Sequence, residues 1–155
     1  MLIIKKNNIN KLKNYGFKEG ILMNMINIIC KYQEWLTDNL TIKLISNNKK
    51  EQVHSIVTPC MNMDNDFIEI YIKVLNFNRI VITDDKNSIS RLTMQGLNDG
   101  NKILLLKKIV ISNDFCITND FCIEKEIDYS DKEMLGYYIQ KLVSIMLQAE
   151  SLLLI

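Results

Sequence analysis

Thr58-Pro59-Cys60-Met61-Asn62-Met63-Asp64-Asn65-Asp66-Phe67-Ile68-Glu69-Ile70-Tyr71-Ile72-Lys73-Val74-Leu75-Asn76-Phe77-Asn78-Arg79-Ile80-Val81-Ile82-Thr83-Asp84-Asp85-Lys86-Asn87-Ser88 is the stretch that decides the fold. Within it, Ile68, Ile70, Ile72 and Val74 alternate with Phe67, Glu69, Tyr71 and Lys73. Such a period of two predicts a half-buried strand. Asn76-Phe77-Asn78 carries turn residues, and Arg79 to Thr83 reads as the returning strand of a hairpin.

Working outward, Leu40 to Ser46 alternates Leu40, Ile42 and Leu44 against Thr41, Lys43 and Ile45. Asn47 to Lys50 predicts a turn, and Gln52 to Thr58 a strand stopped by Pro59, which has no N–H to give a ladder. These segments predict an antiparallel meander of about four strands. Before it, residues 18–37 predict an amphipathic helix with Ile21, Met25, Ile28, Ile29, Tyr32 and Leu36 on one face and Trp35 beside them, expected to pack on the core.

After it, the chain leaves the sheet at Asp84 to Ser88 and enters a short helix with Ile89, Leu92 and Leu97 apolar and Gly96 near its end. A second short helix is expected over Lys102–Ile111. Asn113-Asp114-Phe115-Cys116-Ile117 is then repeated as Asn119-Asp120-Phe121-Cys122-Ile123, which predicts a tight hairpin turning at Thr118–Asp120. Ser130-Asp131-Lys132-Glu133 has the spacing of a capping box and opens a long helix to about Leu153. Its stripe of Leu135, Tyr138, Leu142, Met146, Ala149 and Leu153 is widened by Met134, Ile139, Ile145 and Leu152. A face this broad is expected to be buried on the chain's own sheet, the alternative being a homodimer seam. Met134, Tyr138 and Ile145 are the candidate partner-binding surface.

The expected fold class is therefore α+β: a meander plus a late β-hairpin, packed against an N-terminal helix, short middle helices and a long C-terminal helix. Its 155 residues suit one domain of ordinary size. Residues 1–20, with five Lys against one Glu, are expected to form a basic extension to a single domain over 21–155.

Composition narrows the function classes. Net charge is +1 and only Arg79 and Arg91 supply guanidinium groups, a thin inventory for nucleic-acid contacts. The five glycines are scattered singly and form no phosphate loop, and no G-x-S-x-G elbow occurs. Cys30, Cys60, Cys116 and Cys122 form no C-x-x-C pair, so free thiols are expected. His54 could serve Cys60 only if the chain folded back at Pro59. No secretory leader or membrane span is recognised, and the expected location is the cytoplasm. The abundance of Ile, Asn and Lys beside a single Ala and a single Pro follows AT-rich codons, pointing to a low-GC bacterium or its phage.

One constellation has the composition of a reactive centre. Asp64 and Asp66 precede one predicted strand and Asp84 and Asp85 follow the next, so a hairpin gathers both pairs, with Glu69, at one sheet end. Converging carboxylates suit Mg²⁺ or Mn²⁺. Under this alternative reading Asp64, Asp66, Asp84 and Asp85 are catalytic, Asp66, Asp84 and Asp85 hold the metal, and the reaction is phosphodiester hydrolysis. The competing reading is turn and cap chemistry, which needs no metal or other cofactor.

Thr58-Pro59, Asp64, Asp66 to Ile72, Ile82-Thr83-Asp84-Asp85, Ile89, Leu92 and Gly96 together resemble the bacterial and phage domain-of-unknown-function family eighteen-twenty-eight, over roughly residues 21–150. The family carries a glycine after Thr-Asp-Asp where this chain has Lys86, and Asn87 is expected to take up the left-handed turn. The resemblance implies a small phage- or mobile-element-type accessory protein. A non-enzymatic protein-binding module, directed against a host defence component, is the expected function. The element order is also similar to small dimeric secretion-chaperone-like folds, which bind proteins.

Overall fold

The computed structural model describes residues 19–48, 51–75, 78–97 and 99–154. The chain divides into two compact units, Met1–Leu40 and Thr41–Ile155. Most of the expected basic extension lies outside the described residues. The first unit contributes helix α1 (Glu19–Asn39). Its last turn is closed by Thr37 Oγ1 donating to Gln33 O at 2.9 Å and Asn39 Nδ2 donating to Trp35 O at 2.8 Å. Tyr32 and Trp35 stack at 6.3 Å between ring centroids, and with Ile28 they are exposed.

The second unit is built on strands β1 (Thr41–Asn47), β2 (Glu51–Met61), β3 (Phe67–Leu75) and β4 (Arg79–Thr83). Helices α2 (Asn87–Met94) and α3 (Gly100–Ser112) follow, then β5 (Cys116–Ile117), β6 (Ile123–Asp128), a 3-10 turn (Tyr129–Met134) and helix α4 (Leu135–Ser151). The architecture is α+β, as the patterning predicts. All six strands join one antiparallel sheet in the order β1-β2-β3-β4-β6-β5. The late hairpin thus docks on the meander by its second strand, with Ile80 opposite Ile127 and Val81 opposite Glu126.

The alternation on β3 sets the layers. Ile68, Ile70 and Ile72 are buried, continuous with Ile56 on β2, Ile80 and Ile82 on β4, and Ile123 and Ile127 on β6. The helices close this face with Leu92, Leu106, Val110, Leu142, Val143, Ile145, Met146 and Ala149. Each of the buried Val, Leu, Ile and Met side chains contributes about 1.5–3 kcal/mol by leaving water.

Three local expectations are corrected. First, β2 does not stop at Pro59; it runs through to Met61. The register shifts between Val57 and Met61, and that irregularity accommodates a residue with no N–H to give the ladder. The same continuity keeps His54 and Cys60 on one extended strand, about 20 Å apart along it, without the fold-back a Cys–His pair needs. Second, Ser130 does not cap the last helix. Tyr129–Met134 is a 3-10 turn with Asp131 at φ −94°, ψ 16°, and α4 starts only at Leu135. Third, Ile145 is no partner surface: it is 0 % exposed. The wide stripe of α4 is consumed by the chain's own core, and Ile145 belongs to it. Tyr138 is half-buried, edge-on to Phe115 at 6.3 Å, and only Met134 of the three is exposed.

Candidate functional site

The site at the acidic end of the sheet starts with a turn. Asn62 organises it: its Oδ1 accepts from Asp64 N and Asp66 N, both at 2.9 Å, and Asn62 N donates to Asp66 O at 2.8 Å. This fold-back puts Asn65 at φ +62°, a conformation that asparagine adopts more readily than most residues. The turn is tied to two helices. Asp64 accepts from Arg91 Nη1 at 2.7 Å and from Gln95 Nε2 at 2.9 Å, both on α2 or its end. Met63 N donates to Glu150 Oε2 at 2.9 Å, and Glu150 Oε1 pairs with Arg91 Nη2. Glu150 is only 3 % exposed on α4, so Arg91 compensates a carboxylate that water does not reach. The Arg91 guanidinium and the Gln95 amide hold the Asp64 carboxyl below its usual range.

The opposite wall is the exit from β4. Thr83 lies opposite Tyr71, so β3 continues to Phe67 beyond the end of β4. Asp84 turns inward: Oδ1 accepts from Ile123 N at 2.7 Å, Oδ2 accepts from Ser88 N at 3.0 Å, and the Lys86 N–H adds a further contact. The side chain thereby caps the start of α2 from below and bolts it to β6. Burial pushes the Asp84 carboxyl above its usual range, against the pull of these N–H groups. Asp85 faces out and pairs with Lys73 at 3.4 Å. Asp85 and Lys86 take φ +49° and +73°. The left-handed step therefore falls on them, and Asn87, expected to supply it, instead begins the helix.

Between these walls lies a cleft of about 440 Å³, lined among others by Asp66, Phe67, Glu69, Asp85, Arg91 and Met94. Of the five acidic candidates, Asp66, Glu69 and Asp85 share the cleft. Asp64 is drawn away by Arg91, and Asp84 is buried beneath. The four aspartates thus stand at one end of the sheet without converging, and among the described residues no three His, Cys, Asp or Glu side chains form a group that could hold a metal ion. Glu69 accepts from Ser55 Oγ on the neighbouring strand. Burial, with the Glu69 charge added to it, pushes the Tyr71 hydroxyl up.

Arg91, Gln95 and Glu150 hold the turn in place and are not among the acidic candidates that the sequence offers. A signal for two of them existed: Arg91 is one of two arginines, and Glu150 interrupts an otherwise apolar helix stripe.

A family model for a domain of unknown function matches residues 58–148, more than half of the chain. The chain belongs to the DUF1828 family. The residues lining the cleft of this DUF1828 chain, Asn62 to Met146, all fall within the matched segment. No curated protein matches it, and no solved structure does. Among the described residues no helix is long and apolar enough to cross a membrane.

Proposed function

We propose that this DUF1828 protein is a non-enzymatic protein-binding module, a small accessory protein of a phage or mobile element acting on a host protein, with a host defence component as the expected class of target. The observation that supports the reading is the state of its carboxylates. Asp84 is spent on backbone N–H groups, Asp64 on Arg91 and Gln95, and Asp85 on Lys73. Groups tied in this way hold turns and helix starts; a general acid or base needs a proton-exchanging group facing substrate. The same end of the sheet also presents apolar side chains to solvent. Met61, Met63, Phe67 and Met94 are all exposed, and methionine is the adaptable apolar side chain of protein-binding surfaces.

The test is affinity capture from the native host with quantified stoichiometry, alongside the oligomeric state of the purified protein. A stoichiometric partner whose binding is lost in the Phe67→Ser, Met94→Glu double variant supports the reading. A strict monomer that captures no stoichiometric partner overturns it. The metal-dependent alternative makes a different prediction. Mg²⁺ or Mn²⁺ at a hundred times its dissociation constant would add about 2.7 kcal/mol of stability, and Asp85→Ala would abolish the gain. A binding module shows no such shift.

A further inference from the structure

We propose that helix α1 is a homodimerisation element, pairing antiparallel with α1 of a second copy of this chain through Ile28, Tyr32 and Trp35. α1 lies outside the segment matched by the family model, and the seam stands whether or not the protein-binding reading does.

A surface helix ordinarily turns its apolar stripe to a core. On α1 that stripe is open: Ile28 is 67 % exposed, Tyr32 59 % and Trp35 50 %. Tyr32 and Trp35 stack on each other along the helix, so their rings form one continuous apolar ridge. Exposed aromatic surface of this kind is a common anchor at interfaces. Ile28, Tyr32, Trp35 and Asn39 follow one another at steps of four, three and four, and Met25 and Ile21 continue the same steps upstream in the sequence. That is the seam spacing of a two-stranded coiled coil, which takes a second helix of the same kind.

The charges beside the seam select the partner and its direction. Lys31 and Asp38 flank it on one side, each one residue before a seam position, and Leu36 flanks it on the other. Lys31 and Asp38 are exposed and have no ion pair among the described residues. Reversing one helix brings each flank against the same flank of its twin. With Tyr32 facing the second copy's Trp35, Lys31 then faces the second copy's Asp38, and the two-fold axis repeats the pair. Asn39 closes the seam opposite Ile28, its amide already donating to Trp35 O at 2.8 Å. A parallel pair instead sets Lys31 against the second copy's Leu36 and leaves Asp38 without a cation on the paired helix. Sliding the antiparallel pair by one heptad sets Lys31 against the second copy's Lys31. Of the three arrangements only the first satisfies both the apolar ridge and the charges. The overlap is about three turns, so a weak dimer, in the micromolar range, is expected.

The test uses the full-length protein and its single tryptophan, Trp35. Sedimentation equilibrium and tryptophan emission are followed from about 1 to 500 µM. The expected result is a monomer–dimer equilibrium whose emission moves to the blue as concentration rises, because pairing takes the Trp35 ring out of water. Lys31→Asp and Asp38→Lys each set like charges together twice, and each should raise the dimer dissociation constant about tenfold or more. Combined in one chain they restore opposite charges and should return it to within about threefold of wild type, a recovery that no folding defect can produce. Tyr32→Ser should abolish the dimer. A monomer throughout, a dimer indifferent to the single swaps or to Tyr32→Ser, or single swaps that weaken it without recovery in the double variant would each overturn the proposal.

Discussion

Asp84 Oδ1 accepts a hydrogen bond from Ile123 N at 2.7 Å across 39 residues of sequence. The reverse bond, Asp84 N donating to Ile123 O at 3.2 Å, completes the pair. One buried aspartate thus joins the meander, the start of α2 and the late hairpin.

Asp84→Ala should cost about 3 kcal/mol in urea denaturation, because it leaves buried N–H groups without an acceptor. Asp84→Asn keeps one acceptor and should cost less. The pH dependence separates charge from packing. The folded-state pKa of Asp84 lies above its ordinary value of 3.8, so its protonated form is the one favoured by folding. Its contribution is therefore complete below about 3.8 and diminishes as pH rises through the folded value. Asp84→Asn should remove that segment of the stability profile.

Arg91→Ala strips the cation from Glu150 and should cost about 3–5 kcal/mol, the range for an abandoned buried charge. Adding Glu150→Gln to Arg91→Ala should recover part of the loss, and a double-mutant cycle measures the coupling. Asp64 carries the opposite sign from Asp84. Its pKa is depressed, so its contribution is present above the ordinary value and fades as pH falls through the folded value. Asp64→Asn should flatten the acid limb of the stability curve.

Lys86→Gly should stabilise the protein by about 1 kcal/mol, read as a rise in thermal midpoint. Lys86 sits at φ +73°, a region costly for a residue with a Cβ and open to glycine. If Lys86→Gly lowers the midpoint, the turn geometry is wrong.

Ile145→Ala and Met134→Ala should part sharply. The first empties a fully buried position and should cost about 2–5 kcal/mol. The second trims an exposed side chain and should stay within about 0.5 kcal/mol. Equal effects would return the broad face of α4 to consideration as a docking surface.

The sequence by itself determined the elements. Alternation over Phe67–Val74, the returning strand Arg79–Thr83, the duplicated hairpin and the apolar period of the last helix are all local, and a local pattern is readable because side-chain direction follows from backbone period. It also placed the acidic groups at one end of the sheet. What only the tertiary structure decided was the fate of each side chain there. Whether Asp84 looks out to a metal or inward to Ile123 N depends on β6 docking against β4, a contact between segments that share no local signal. Whether Asp64 is free or held depends on Arg91 reaching the turn from α2. Pro59 reads as a strand end until the bulge that accommodates it is formed with β3. The capping box lost to a 3-10 turn for a similar reason, whereas the wide stripe is buried in the chain's own core as its breadth predicts, Ile145 with it. Carboxylate chemistry is set by neighbours brought from far along the chain, and those neighbours have no mark in the local pattern.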